Sequence, residues 1–290
     1  MRGIRLIETF VQDLRYGMRT LRRNPGFTFI AALTLSLGIG ANTAIFSVVN
    51  GVLLKPLPYH EPERLIRVFE SDSTYQKFPI SPLDFRDFRD QNTTFESLAG
   101  YFRQDLQLAQ DDRAERLLGM RVTSGFFQTL GFRPLLGREF NRDEEISDQS
   151  AVVILSHGLW QRRFGGDSNI VGKRIRLLGQ YFTVVGVMPA GLQHVGGGWR
   201  PLPHGESVDI WWPMRLGPNR PRDAHLVNAI GRLKSGVTRK QAEAEYNLIA
   251  MRLAQQYPGA YRNWQIHTQL LREEIVEGSQ QTLLVLLGAG

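Results

Sequence analysis

Residues 27–54 read FTFIAALTLSLGIGANTAIFSVVNGVLL, and the reading of the whole chain turns on them. From Gly26 to Leu54 there is no Asp, Glu, Lys or Arg, and eighteen of these twenty-eight residues are Ala, Val, Ile, Leu or Phe. About 20 predominantly apolar residues suffice to cross a bilayer as a helix, so one membrane span is expected over residues 26–55. At about 1.5 Å per residue such a helix reaches roughly 42 Å, beyond the roughly 30 Å hydrocarbon core. It should tilt or emerge as a stalk.

The flanks give the expected orientation. Residues 1–25 carry six arginines (2, 5, 15, 19, 22 and 23) against Glu8 and Asp13, a net +4. Short basic flanks stay cytoplasmic, so the N-terminus is expected inside and residues 56–280 outside the cytoplasm. Of the total charge of +7, only +3 remains for residues 26–290. That is too little to argue for a nucleic-acid partner. A buried-core helix is too short an explanation for so long an uncharged stretch. A cleaved signal peptide would have a shorter apolar region nearer the start.

Within residues 1–25, Ile4, Ile7, Phe10, Val11, Leu14, Met18 and Leu21 recur at helical spacing among arginines, as in an amphipathic helix lying on the inner membrane surface. Asn24-Pro25-Gly26 breaks it. The span carries small residues four apart, Ser36, Gly40 and Ala44 on one stripe and Thr43, Ser47 and Gly51 on the next. Such stripes let another helix approach closely, which makes Ser36, Gly40, Ala44, Ser47 and Gly51 candidate helix-packing residues.

Beyond Lys55-Pro56-Leu57-Pro58 the sequence is that of an α+β domain. With 42% hydrophobic residues it can build a core, and with no cysteine it must do so without disulfides or thiolate metal sites. Strands are expected at 65–69, 105–109 and 116–122. A helix should start at Ser81-Pro82-Leu83-Asp84, with Ser81 as N-cap, Asp84 completing a capping box, and Phe85, Phe88, Phe95 and Leu98 along one face. A short helix at 124–130 closes on Gly131. Residues 132–215 read as a β-rich insert with strands at 152–155, 174–177 and 182–187. A strand at 227–233, a helix opened by the capping box Thr238/Gln241 and lined by Ala242, Tyr246, Ile249, Leu253 and Tyr257, and a return strand at 264–271 follow. The expected architecture is strand–helix–strand units flanking the insert. Residues 281–290 are uncharged, like the start of a second, truncated membrane helix.

Several segments in order resemble the N-terminal part of bacterial ABC-transporter permeases of the MacB/FtsX type, particularly the internally duplicated ones without a fused ATPase. They are Asp13–Arg19 with Asn24–Thr28, Leu37–Ser47 leading to Leu54–Tyr59, Trp160–Asp167 with Ile170–Lys173, Phe182–Pro189, and Gly231–Lys234 with Gly236–Thr238. The resemblance implies a MacB-like periplasmic core domain between the first and second of four membrane helices. It also implies a non-catalytic role in transport, with efflux as the direction. ATP hydrolysis by a separate cytoplasmic subunit would drive movements that the helices relay outward. Its partners would be that ATP-binding subunit, membrane lipid, and other permease helices or a second permease half. A single-pass anchored binding or sensor module without transport is the alternative.

Motifs for chemistry are sparse, and no enzyme, cofactor or metal is expected. Residues 167–174 approach a phosphate-binding loop but lack the first glycine and the hydroxyl after Lys173, which leaves a turn. His60, His157, His194, His204, His225 and His267 show no metal-ligand spacing, although His194 and His204 flank Gly196-Gly197-Gly198. Ser156-His157-Gly158 lacks the glycine of a nucleophile elbow. Asp84, Asp87 and Asp90 read as the wet face of their helix rather than as paired catalytic carboxylates. Trp199-Arg200 and Trp211-Trp212 near Arg215 are candidate contact surfaces for an extracytoplasmic protein or a lipid-like ligand, with a core or edge strand at 208–213 as the other reading.

Overall fold

A computed structural model describes residues 15–49, 57–110, 113–147, 150–196, 207–218, 221–258, 264–275 and 277. Residues 4–14 of the expected surface helix, Gly51, Trp199-Arg200, His204 and the tail 281–290 lie outside the described residues. The chain divides into two compact units between Pro56 and Leu57.

In the first unit, residues 15–23 are helical, Asn24 interrupts, and α1 (Pro25–Val49) runs as one 25-residue helix. Among the described residues no helix is long and apolar enough to cross a membrane. The side chains of α1 are described as far as Gly40 and at Thr43. Phe27, Phe29, Ile30, Leu33, Leu35, Leu37 and Ile39 are all exposed.

The second unit is a mixed α/β domain built on one sheet. In chain order its elements are β1 (Leu65–Ser71), α2 (Pro82–Gln91), β2 (Phe95–Arg103), β3 (Leu106–Gln110), β4 (Arg113–Leu117), β5 (Gly119–Val122), α3 (Phe126–Leu130), β6 (Leu136–Gly137), α4 (Arg142–Ile146) and β7 (Val152–Leu155). Then come α5 (His157–Phe164), β8 (Arg174–Leu177), β9 (Gln180–Val187), β10 (Ile210–Pro213), β11 (Asn228–Leu233), α6 (Arg239–Gln256) and β12 (Gln265–Leu270). The strand order is β12-β1-β11-β2-β5-β10-β7-β9-β8-β3-β4, with β6 on β9. The pairs β5/β10 and β7/β9 are parallel and the rest antiparallel.

The β-rich insert shares its sheet with its flanks. Its strands β6 to β10 join the same sheet, and β3 and β4, which precede it in sequence, pair beyond it. The reason is a long bent hairpin. Gln104 N donates to Gly119 O at 2.9 Å across the bend between β2 and β3. On the other arm Leu118 interrupts the expected single strand 116–122: its N–H donates to Asp209 Oδ2 at 3.0 Å and its carbonyl accepts from Asp209 N at 2.8 Å. The first arm so changes partners from β11 to β8, while the second leaves β10 and, as β4, pairs with β3 at the end of the strand order.

A second correction concerns α2, which stops at Gln91 because Asn92 closes it. Asn92 Nδ2 donates to the Phe88 and Arg89 carbonyls, while Oδ1 accepts from Phe95 N at 3.2 Å. Phe95 and Leu98 thus belong to β2, yet they share one buried cluster with Phe85 and Phe88. Tyr246 of α6, fully buried, lies 5.2 Å from both Phe88 and Phe95. The capping box Thr238/Gln241 forms as expected.

Candidate functional site

The small-residue stripe does not converge on anything in the described structure. A Cβ at Gly40 would meet nothing within 4 Å. The side chains of Ala44 and Ser47, and all of Gly51, fall outside the described residues.

The polar motifs of the domain make local structural contacts. Ser156 is the N-cap of α5, accepting from Leu159 N at 3.0 Å, and His157 stands edge-on to Trp160. Asp167 pairs with Lys173 and orders the turn between α5 and β8. Among the described residues no three His, Asp or Glu side chains could hold a metal. His194 is buried and its Nδ1 accepts from Gly196 N at 2.7 Å. Trp211 and Trp212 are both buried in a strand at the middle of the sheet, so they are core rather than a contact surface.

Of the Asp84, Asp87, Asp90 row, Asp90 is exposed as expected, but Asp84 and Asp87 do not form a wet face. Asp84 is buried, takes a hydrogen bond from Ser81 Oγ at 2.6 Å, and is gripped by Arg222, whose other arm holds Asp87 Oδ2 at 2.7 Å. Its carboxylate is thus spent on Ser81 Oγ and Arg222 rather than on the N-cap backbone, and the capping box is replaced by a side-chain pair. Burial raises the Asp84 carboxyl above its ordinary value, against the opposing pull of Ser81 and Arg222.

The arrangement that does bear on function lies where the chain comes into the domain and where it leaves. β1 and β12 are antiparallel neighbours, and Ile66 near the start of β1 faces Leu270 at the end of β12. Both ends of the domain therefore sit at one end of the sheet. They also sink into one hydrophobic cluster: Leu57 and Tyr59 from the incoming segment, Leu271 and Ile275 from the outgoing one.

Two buried arginines hold these segments. Arg232 of β11 donates to the carbonyls of His60 at 2.6 Å, Glu61 at 3.2 Å and Thr129 at 2.9 Å, tying the incoming loop to the C-terminal turn of α3. Cations suit that position because the last helical carbonyls lack partners. Arg67 of β1, with no exposed surface, donates from Nη1 to Gly196 O at 3.3 Å, and its Nε lies 3.5 Å from Glu274 Oε2. Its guanidinium rests 5.2 Å and 5.0 Å from the ring centroids of Phe69 and Tyr101. Tyr101 Oη donates to the same Gly196 carbonyl at 2.6 Å. Burial lowers the proton affinity of both guanidiniums, and the Glu274 charge works against this at Arg67.

Sequence reasoning missed both. The signal was present in Leu65-Ile66-Arg67-Val68-Phe69 and Ala229-Ile230-Gly231-Arg232-Leu233. An arginine inside an apolar strand run cannot be carried to a core without partners.

Residues 28–247 match the MacB-like periplasmic core domain family. The chain belongs to that family. Two solved structures share the fold. A domain assigned to a permease protein of Porphyromonas gingivalis superposes with a TM-score of 0.55 at 15% identity, covering 73% of this chain and 92% of its own. The periplasmic region of MacB from Actinobacillus actinomycetemcomitans gives 0.51 at 14% identity, covering 83% and 97%. No curated protein matches.

Proposed function

We propose that this chain is a non-catalytic permease subunit that relays movement between a separate cytoplasmic ATP-binding subunit and its extracytoplasmic domain. The observation that carries this reading is the common seat of the two domain ends. A displacement of either segment acts on the same buried cluster, and a close-packed interior transmits strain rather than absorbing it. Arg232 binds carbonyls of the incoming loop and of α3, and Arg67 binds the Gly196 carbonyl with the Glu274 carboxylate 3.5 Å from its Nε, so a movement of either end disturbs a buried cation in a low-dielectric setting. The uncharged helix α1, with its exposed apolar side chains and arginine-rich flank, supports a membrane span with the N-terminus inside.

The test begins with topology. Reporters fused after Asn24 and Gly166 should report the cytoplasm and the exterior respectively. The tagged chain, extracted from membranes of its native host, should carry a nucleotide-binding subunit with it. An external Asn24, or a transport phenotype untouched by deleting every candidate ATPase, would overturn the proposal. In the latter case an anchored binding module would be the better account.

A further inference from the structure

Where β2 and β5 bend into β3 and β4, a cleft of about 370 Å³ opens beside the buried cluster shared by α2, β2 and α6. Phe102, Met214 and Leu226 in its walls belong to that cluster or pack against it, and Pro82 and Pro221 add further apolar surface. The volume falls within the roughly 300–1,000 Å³ range of small-molecule sites, which are characteristically apolar, largely pre-formed, and supplied with a few fixed polar groups. The walls are held from outside the cleft. Met214 N donates to Val122 O at 2.8 Å and Leu226 N to Ile80 O at 3.3 Å. Arg222, next to Pro221, grips Asp84 and Asp87 of α2, the helix that Pro82 begins. Two prolines and a loop tied to a helix by a buried ion pair have little freedom to collapse inward, so the apolar surface is organised before any ligand arrives.

One polar group on the wall has spare capacity. Gln104 lines the cleft and also the adjoining hollow of about 260 Å³. Arg121 Nε, which can only donate, binds Gln104 Oε1 at 2.6 Å. That contact settles which end of the amide is oxygen, and it leaves Nε2 with two N–H groups that meet no acceptor among the described residues. The backbone beneath is fixed too, since Gln104 N donates to Gly119 O at 2.9 Å. The Arg121 guanidinium in turn lies 5.9 Å and 5.8 Å from the ring centroids of Phe102 and Trp212, its neighbours across the sheet on either side. Its part here is to orient the amide.

We propose that this cleft binds a small uncharged molecule: a flat apolar body among Phe102, Met214 and Leu226, with one carbonyl or similar acceptor at Gln104 Nε2. The apolar walls supply affinity in proportion to the area they cover, and the single donor sets the orientation. An uncharged ligand is spared the desolvation that a charged one would suffer against prolines and aliphatic side chains. The site depends on neither the membrane span nor an ATPase, so it can fail while the transport reading stands.

The probe is 2-acetylnaphthalene, titrated into the full chain in lipid nanodiscs and followed by nuclear magnetic resonance of isotope-labelled methionine methyl groups. Met214 stands in the cleft, whereas Met120 and Met188 belong to the cluster that seats the two domain ends and serve as controls. The Met214 resonance, assigned through Met214→Leu, should shift saturably while those two stay in place. 2-Ethylnaphthalene, of the same shape without the acceptor, should bind about three- to tenfold more weakly, the worth of one neutral hydrogen bond. Gln104→Glu keeps an oxygen for Arg121 and removes the amide donors, so it should erase that difference. Ala224→Trp, which narrows the cleft from the loop before β11, should abolish the shift. 2-Naphthoate should bind no more tightly than the ketone. The ligand comparisons use the native chain, so a folding defect in either variant leaves them decisive. Similar shifts at Met120 and Met188, no saturation, equal affinity for the two uncharged naphthalenes, a preference for the ketone that survives Gln104→Glu, binding that survives Ala224→Trp, or tighter binding of 2-naphthoate would each overturn the proposal.

Discussion

Replacing Arg222 by Met should be one of the most destabilising single changes in the domain, and its cost should depend on pH. Arg222 bridges Asp84 and Asp87 on α2 and lies with its guanidinium 3.8 Å from the centroid of the Tyr257 ring. Asp84 is only 2% exposed, whereas Asp87 is half-buried and can turn to water. The methionine keeps the length of the stem but strands the Asp84 carboxylate. Removing one partner of a buried pair costs about 3–5 kcal/mol, and the remaining bond from Ser81 Oγ argues for the lower end, about 3 kcal/mol. The Asp84 carboxyl already has a raised proton affinity through burial, and without Arg222 it rises further. A carboxyl whose folded pKa exceeds its unfolded value loses stability as pH climbs through the folded pKa and regains it below. The deficit of Arg222→Met relative to the native chain should therefore be largest near pH 8 and shrink toward pH 5.

Urea unfolding of the full chain in mild detergent, followed by tryptophan fluorescence and far-ultraviolet circular dichroism, measures this directly. Asp84→Asn in the Arg222→Met background should recover most of the loss, because the asparagine carries no charge to strand. A coupling energy of about 2 kcal/mol is expected from the resulting double-mutant cycle. A single variant within 1 kcal/mol of native, or a deficit constant from pH 5 to 8, would refute the reasoning that a stranded charge is the cause.

Other outcomes follow from neighbouring features. Glu70 of β1 is fully buried and its carboxyl is pushed up to about 7 by burial, against the pull of His225, whose Nδ1 is 2.6 Å from it. Burial also disfavours the charged His225, but the hydrogen bond and charge of Glu70, the Pro79 carbonyl and the Asp84 charge together outweigh this and its pKa is raised. Both shifts have the same sign, so native stability should fall as pH rises from about 5 through 7, by on the order of 2 kcal/mol, and Glu70→Gln should flatten that slope; a native profile no steeper than the variant's contradicts it. Gly231→Ala puts a methyl into the ring of Phe95 in the middle of the sheet, which should cost about 1–3 kcal/mol by the same unfolding assay, and a cost under about 0.5 kcal/mol would show that the ring yields freely. Thr238→Ala removes the cap of α6 and should cost about 1 kcal/mol, with amide exchange accelerated only in the first turn. Arg67→Met should speed exchange at 271–275 by roughly ten- to a hundredfold while β11 stays protected; uniform acceleration would mean the whole sheet loosens instead.

What the sequence disclosed and what it hid divide along physical lines. Local signals were legible: the caps at Ser81 and Thr238, the strand runs at 152–155 and 182–187, and the helical spacing of Ala242, Tyr246, Ile249 and Leu253 all reflect interactions within a few residues. Pairing across the chain was not. Nothing within Arg116–Val122 announces that Leu118 hands one half of the strand to β3 and the other to β10, because the residue that cuts it is Asp209, some ninety positions on. The burial of Phe95 and Leu98 was foreseen, but on the wrong element. Apolar residues at 85, 88, 95 and 98 fit a helical period, and only Asn92, a residue that competes for backbone groups, marks the break.

The charged residues teach the same point more sharply, since a stripe of alternating Asp and Arg on a helix reads as solvated when its partners are invisible. Asp84 met Arg222 from the loop before β11, Glu145 of α4 met Arg89 at 2.9 Å, and Arg67 met a carbonyl in the loop after β9. Each of these pairs joins elements distant in sequence, and each encloses a charge that costs several kcal/mol to bury alone. Their positions are not scattered. Arg232 and Arg67 guard the incoming and outgoing segments, while Arg222 holds α2 beside Pro82, Pro221 and Ala224 at the wall of the cleft. Apolar packing alone would let these segments slide, because it is non-directional. Buried ion pairs have few acceptable geometries, so they fix the register of the segments they join. On that argument, replacing the Arg67–Glu274 pair by Met and Leu should leave stability within about 2 kcal/mol of native, since well-packed apolar substitutes for a buried pair are tolerated. On the proposed function, ATP-driven transport should nonetheless fall. A doubly substituted chain that transports normally would show that packing, not charge, sets the register where the incoming and outgoing segments meet the sheet.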